Sequence, residues 1–121
     1  MGRISIRRVY DDTPRAGEKR YLVERLWPRG VRKEDLPLDG WLKDVAPSTE
    51  LRRWFNHDPA RWEEFRRRYL EELQAKPEVW RPLLDAARDH DVVLLYAARD
   101  TEHNGALVLR EFLQKKSRHR P

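Results

Sequence analysis

The run DVVLLYA at residues 91–97 is a continuous apolar stretch, rich in β-branched side chains, with one charge at its start. Runs of this kind are typical of strands that are buried on both faces of a parallel sheet. Two further candidates precede it: RISIRRV at residues 3–9, where isoleucines alternate with polar side chains, and RYLVERL at residues 20–26. The sequence therefore predicts three strands.

Four helices are predicted from capping residues and from apolar spacing. Ser48 is a good N-cap for a helix over Thr49–Phe55, and Asp58 followed by Pro59 marks the start of a second helix. Pro77 opens a third helix, and ALVLREFLQKK at residues 106–116 has the spacing of a last one. A short helical turn is predicted within LDGWLKDVAP at residues 38–47.

The order of these elements is strand, strand, helices, strand and helix, which is the order of a small α/β protein. A chain of 121 residues has room for one hydrophobic core. We therefore expect an α/β fold with a single compact domain over residues 1–114, in which helices pack on a small, mostly parallel sheet. Residues 115–121 are predicted to form a basic C-terminal tail.

The net charge of +5 comes mostly from that tail. The stretch KKSRHRP holds four of the 26 lysines and arginines and no acid, so the rest of the chain has 22 basic against 21 acidic residues, or +1. The body of the protein is thus nearly neutral. A short basic end after a helix is more often a solubilising terminus than a nucleic-acid arm, although the second interpretation stays open.

Several function classes are excluded or not expected. The chain has no cysteine, which rules out disulfides and thiolate catalysis, and its isolated glycines form no phosphate-binding loop or dinucleotide fingerprint. Its four histidines show no i, i+4 pair, so we expect no metal and no cofactor. No signal peptide or membrane-length apolar segment is visible, and a soluble cytoplasmic protein is expected.

The candidate site lies where the predicted strands end, because ligands of open α/β sheets bind beyond the carboxyl ends of the strands. The second strand ends in ERLWPRG at residues 24–30 and the third in YAARD at residues 96–100. Glu24 and Arg25 leave opposite faces of a strand, and at least one of them should be partly buried. A buried charge needs a partner, so we expect Arg25 to pair with Asp100 or Glu24. A purely structural ion pair is the alternative.

Each polar side chain at this edge has a candidate role. Asp100 or Glu24 is a candidate general base, and His103 is a catalytic acid or base or else an exposed turn histidine. The start of the last helix offers free backbone N–H groups, although Asp100 or Thr101 is expected to cap it. The candidate catalytic residues are Asp100, Glu24 and His103; the candidate ligand-binding residues are Arg25, Trp27, Arg29, Tyr96, Arg99 and Asn104.

Four stretches, which together span nearly the whole chain, resemble the YeaO-like branch of the domain-of-unknown-function family 488. They are VYDDTP, RYLVERLWPRGV, APSTELRRWFNHDPARWEEF and LLYAARDTEHNGALVL. The resemblance implies a compact bacterial or archaeal α/β domain with no established activity. It also implies Asp at the position of Glu24, histidine at the position of Gly105 and, in other branches, cysteine at that of Tyr96. Chemistry that needs those groups is not expected here.

Two functions therefore remain. The first is a small-molecule site, in a sensor or a simple hydrolase, where arginines hold an anionic or nucleobase-like ligand against Trp27 and Tyr96. The second is a nucleic-acid accessory protein, in which Arg32, Lys33 and the tail contact phosphates and exposed tryptophans stack on bases. Whether the protein is an enzyme, and its oligomeric state, stay open at this point.

Overall fold

Strand β4, Asp91–Tyr96, lies inside a four-stranded sheet in the computed structural model, which describes residues 2–118. Its neighbours are β1, Ile4–Arg8, on one side and β2, Glu18–Leu22, on the other, and β2 also pairs with the short strand β3, Gly40–Trp41. The order is β1-β4-β2-β3 and all pairs are parallel. The predicted α/β fold with a mostly parallel sheet is confirmed.

Two predicted elements differ from the structure. The second strand was expected over residues 20–26 but runs over Glu18–Leu22, and all five of its residues pair with β4 up to Leu22 opposite Leu95. The helical turn expected within residues 38–47 is present as the 3₁₀ turn Lys43–Val45, but the residues before it, Gly40–Trp41, form β3. Gly40 pairs with Tyr21, and the Leu42 N–H donates to the Leu22 carbonyl at 2.9 Å, so sheet pairing overrides the helical spacing.

The four helices start at the predicted signals. They are α1, Thr49–Phe55; α2, Trp62–Ala75; α3, Pro77–Ala87; and α4, Gly105–Arg118. The Ser48 hydroxyl accepts from the Leu51 N–H at 3.2 Å, as an N-cap should, and Asp58 caps a 3₁₀ turn at Pro59–Arg61 that leads into α2. Helix α4 includes residues 115–118 of the predicted basic tail, and residues 119–121 lie outside the described range.

Side chains of β4 alternate between two apolar clusters. Val92, Leu94 and Tyr96 join the larger cluster, which the helices contribute to. Val93 and Leu95 join a smaller cluster, which is covered by the segment from Trp27 to Trp41 rather than by helices. Burial on both faces explains why the run has no polar alternation. The sheet therefore has one face packed with helices and one face packed with an irregular segment.

A network of four charged residues, Arg7, Asp12, Glu18 and Arg20, lies on the sheet at β1 and β2. Arg7 contacts Asp12 at 3.1 Å and Glu18 at 3.0 Å, and Arg20 bonds to the same two carboxylates. Arg20 is 5% exposed and also donates to the Pro37 carbonyl at 2.7 Å. Because both arginines and both carboxylates are paired, the burial of charge is compensated, and the network holds the loop after β1 and the loop before β3 to the sheet.

Candidate edge site at the carboxyl ends of β2 and β4

Glu24 lies just beyond β2 and bridges to the end of β4. Its Oε1 accepts a hydrogen bond from the Ala97 N–H at 3.3 Å, and its backbone carbonyl accepts one from the Trp41 indole at 2.6 Å. Burial raises the pKa of the Glu24 carboxyl, and the Ala97 N–H and the charges of Arg52 and His57 offset only part of that effect. Glu24 makes no ion pair within 4.0 Å in residues 2–118. The Glu24 carboxyl is thus part-buried, and few hydrogen bonds or charges offset its desolvation.

Arg25 serves a structural purpose. Its Nε donates to the Pro47 carbonyl at 2.8 Å and its Nη2 to the Ala46 carbonyl at 3.2 Å, while the nearest carboxylate is that of Asp44 at 3.7 Å. The predicted pairing of Arg25 with Asp100 or Glu24 is therefore wrong, because backbone carbonyls before α1 take up the guanidinium. The cavity beside Arg25 measures about 10 Å³, which is about the room for one water molecule.

Asp100 and His103 form a hydrogen-bonded pair. The Asp100 Oδ1 accepts from the backbone N–H groups of Glu102 at 2.9 Å and His103 at 3.0 Å, and its Oδ2 lies 2.8 Å from the His103 Nδ1. The Glu102 N–H is the main cause that lowers the Asp100 pKa, and His103 adds to it. The carboxylate thereby orients the imidazole and leaves its Nε2 without a hydrogen bond inside residues 2–118.

Asn104 caps α4, a role that was expected for Asp100 or Thr101. Its Oδ1 accepts from the Leu107 N–H at 2.9 Å, its Nδ2 donates to the Asp100 carbonyl at 2.9 Å, and the residue is 4% exposed. A Cβ at Gly105 would lie 3.1 Å from the Pro47 Cγ. The histidine that the resemblance implies there would require Pro47 to shift, and the Leu107 N–H at the start of α4 is already taken by Asn104.

Aromatic rings connect His103 to a residue that the sequence did not single out, His57. The ring of His103 meets the Trp62 ring edge to face at 5.3 Å, Trp62 lies 6.1 Å from Phe55, and Phe55 lies 6.4 Å from His57. The charge of His57 is the smallest of the effects that lower the Glu24 pKa. We call the group Glu24, His57, Trp62, Asp100 and His103 the edge site.

Of the other predicted ligand-binding residues, the two arginines are free and the two aromatic residues are separated. Arg29 and Arg99 are exposed, and their guanidinium groups have no hydrogen-bond or ion-pair partner in the described part of the chain. Trp27 packs on the smaller apolar cluster, with its indole N–H on the Val31 carbonyl at 2.6 Å. Tyr96 is 5% exposed in the larger cluster on the opposite face of the sheet. Trp27 and Tyr96 therefore do not form the two walls of one pocket.

No three histidine, aspartate or glutamate side chains within residues 2–118 gather as metal ligands would. None of the helices described has the length and apolar character needed to cross a bilayer.

Sequence comparisons identify the relatives of this chain. Residues 3–121 match the family described as the inactive DUF488-N3 subclade. The uncharacterized protein YeaO of Escherichia coli is 43% identical over 111 residues, which cover 92% of this chain and 96% of YeaO. Uncharacterized proteins of Mycobacterium bovis and Mycobacterium tuberculosis are 51% identical over 71 residues, 59% of this chain and 60% of theirs. No solved structure matches. The chain therefore belongs to the YeaO-like group of the DUF488 family.

Proposed function

We propose that this protein binds a small anionic or nucleobase-like ligand at the edge site and acts as a sensor. The edge site has the features that such a ligand needs. Glu24 offers an acceptor for N–H groups, His103 presents a ring nitrogen, and Trp62 supplies an aromatic surface beside it. Arg29 and Arg99 offer cations with no carboxylate partner in the described chain.

The observation that carries the proposal is the environment of the Glu24 carboxyl, which is part-buried and has few partners. Burial raises its pKa, so folding works against the charged carboxylate, and one backbone N–H at 3.3 Å is its only hydrogen-bond donor in residues 2–118. A structural carboxylate is normally paired, as Glu18 is in the four-residue network. A carboxyl group that is part-buried with an unused oxygen is typical of sites that meet a ligand.

The description of the family and the lowered pKa of Asp100 both favour ligand binding without turnover over hydrolysis. The family is described as an inactive subclade. Asp100 has its pKa lowered by two backbone N–H groups and by His103, so it is a weak base that serves to orient the imidazole. The less favoured function for the same site is that of a hydrolase, with Glu24 or His103 as its general base.

The nucleic-acid alternative has little exposed stacking surface. Of the five tryptophans, Trp80 is buried and the other four, Trp62 among them, are half-buried. Three of them have a cation over the ring: Arg68 lies 4.4 Å from the Trp54 centroid, and Lys43 lies 4.1 Å from that of Trp41. Lys116 of the predicted tail lies 5.7 Å from that of Trp80. Rings that are covered in this way do not stack on bases without rearrangement.

Thermal unfolding with a ligand panel tests the proposal. The probes are inorganic phosphate, adenosine and adenosine monophosphate, each at constant ionic strength, because a ligand that binds the folded state raises the Tm. Glu24→Gln removes the site carboxylate, and Glu102→Gln removes a carboxylate from an exposed residue of the neighbouring loop. We expect at least one probe to raise the Tm of the parent and of Glu102→Gln but not of Glu24→Gln. Equal shifts in all three proteins, or none with any probe, would refute the edge site as a ligand site.

A further inference from the structure

Strand β1 is the outermost strand on one side of the sheet, so no strand lies beside its far side. The Val92 N–H donates to the Arg3 carbonyl at 2.8 Å, and Ile4 lies opposite Val92 in the parallel register. Because the backbone groups of successive residues alternate in direction along a strand, residues 3, 5 and 7 face β4, while the N–H and C=O of Ile6 point away from it. We call the side to which they point the outer side of β1.

A single side chain bonds to the outer side of β1 in the part of the chain that the structure describes. Gln114 of α4 donates from its Nε2 to the Ile4 carbonyl at 3.4 Å, which is long for a hydrogen bond. Open strand sides of this kind can pair with a strand of another chain. The Gln114 contact also shows where α4, which packs on β1, lies relative to the outer side.

Gln114 belongs to a row of α4 side chains that also contains two arginines. Arg110 and Arg118 lie four residues before and after it, so the three side chains share one face of the helix. Four residues of a helix span about 6 Å and two residues of a strand about 6.6 Å, so the spacing of the row matches alternate residues of β1. Because α4 follows β4 and packs back along the sheet, Arg110 lies toward the end of β1 and Arg118 beyond its start.

The positive charge of this row is not neutralised by the described chain. Arg110 and Arg118 have no hydrogen-bond or ion-pair partner in residues 2–118. Arg8, at the end of β1, has its carboxylate partner Asp11 at 3.5 Å, and the Asp11 side chain is 70% exposed. Burial raises the pKa of Tyr96, which lies opposite Arg8, and the charges of Arg8 and Arg110 oppose that rise. The effect on Tyr96 agrees with a place for Arg110 beside the end of β1.

The two faces of β1 differ in charge. Arg8 is on the face that α4 covers, together with the isoleucines of the strand. On the opposite face Ser5 is neutral, and Arg7 is paired with Asp12 at 3.1 Å and with Glu18 at 3.0 Å. An extended chain along the outer side of β1 therefore meets unneutralised positive charge only at every second side chain.

We propose that the outer side of β1 binds an extended acidic segment of a partner protein, which adds a strand to the sheet and places alternate carboxylates against Arg110 and Arg118. Backbone hydrogen bonds to Ile6 supply the pairing, and the arginines select acidic residues at alternate positions. A nucleic-acid strand would meet the arginines without pairing with the backbone of β1. The inference is independent of the edge site, which lies at the carboxyl ends of β2 and β4.

Peptide binding, measured by fluorescence anisotropy at constant ionic strength, tests the inference. The probe is a short labelled peptide in which threonine and glutamate alternate. Its comparators are a peptide of the same composition with all glutamates at one end, and a single-stranded oligothymidine. We expect the alternating peptide to bind the parent about fivefold more tightly than the grouped peptide. The Ile6 amide, followed by NMR hydrogen exchange, should become protected when the alternating peptide binds.

A pair of double variants separates the row from general charge. Arg110→Gln with Arg118→Gln should weaken binding of the alternating peptide about fivefold, because two exposed ion pairs are lost. Arg53→Gln with Arg81→Gln removes the same charge from exposed arginines of α1 and α3 and should bind the peptide as the parent does.

Several results would overturn the inference. These are equal binding of the two peptides or binding of neither, an Ile6 exchange rate that does not change on binding, and equal weakening in the two double variants. Tighter binding of oligothymidine than of the alternating peptide would assign the arginine row to nucleic acid instead. A parent that sediments as a dimer, with the Ile6 amide protected before peptide is added, would show that a second copy occupies the outer side of β1.

Discussion

The Oε1 of Glu24 and the backbone N–H of Ala97 are joined by a hydrogen bond of 3.3 Å, although 73 residues separate them in the chain. Because β2 and β4 are adjacent and parallel, their carboxyl ends meet at one edge of the sheet. The contact therefore brings the loop after β2 together with the segment that carries Asp100 and His103. The same contact keeps the Glu24 carboxyl partly buried and therefore partly desolvated.

The charge of Glu24 should destabilise the folded protein at neutral pH. Burial raises its folded-state pKa above the unfolded value, so the folded state binds the extra proton, and stability falls as pH rises through the folded pKa. Glu24→Gln keeps the shape without the charge. We expect it to raise the free energy of unfolding at pH 7, measured by urea unfolding.

The same comparison at low pH provides the control. At pH 3.5 the parent carboxyl is mostly protonated in the fold, and the advantage of Glu24→Gln should shrink toward zero. Glu102→Gln, which changes an exposed carboxyl of the neighbouring loop, is the matched control variant. A Glu24→Gln protein that is less stable than the parent at pH 7 would mean that the carboxylate is needed structurally.

Features with local causes could be predicted from the sequence, whereas features that depend on side-chain pairing could not. The apolar run of β4, the Ser48 cap and the Asp58-Pro59 start each act within a few residues, and all appear as expected. Arg25 shows the limit, because its partners are backbone carbonyls at positions 46 and 47, which carry no signature in the sequence.

Acid should destabilise the protein through Glu18. Its hydrogen bond with Arg7 is the main cause that lowers its pKa from 4.5 to about 2, with further bonds from the Arg15 N–H and Arg20. A lowered folded pKa gives stability that is present above the unfolded pKa and is lost as pH falls toward 2. The shift corresponds to about 3 kcal/mol for this side chain, which is 7% exposed.

Urea unfolding between pH 6 and pH 2 measures this effect. Between pH 6 and pH 2 the free energy of unfolding of the parent should fall by most of that ~3 kcal/mol more than that of Glu18→Gln. Glu18→Gln is itself less stable than the parent at pH 6, because it leaves Arg7 and Arg20 underpaired. Glu63→Gln on the exposed side of α2 should follow the parent. Parallel pH profiles for the parent and Glu18→Gln would contradict the role of the network.

Gly105→His should destabilise the fold. A Cβ at this position lies 3.1 Å from the Pro47 Cγ and 3.6 Å from the Tyr69 Cε2, and an imidazole must displace them. Overpacking of this kind costs about 1–3 kcal/mol. The second substitution Pro47→Ala opens the space, so the double variant should lose less stability than the sum of the single variants. Additive losses in the double-mutant cycle would show that the Pro47 contact is not the cause.

Phosphate should stabilise the protein through Arg99. The start of α4 was expected to offer free backbone N–H groups, but the Leu107 N–H is already bonded to Asn104, so the exposed arginines must supply most of the attraction. At ten times its Kd, phosphate would add about 1.4 kcal/mol to the free energy of unfolding. We expect this gain in the parent and in Arg81→Ala, an exposed arginine of α3, and less than half of it in Arg99→Ala. Chloride at matched ionic strength separates binding from general salt effects, which act on all three proteins alike. If phosphate stabilises Arg99→Ala as much as the parent, then Arg99 does not take part in anion binding at this edge.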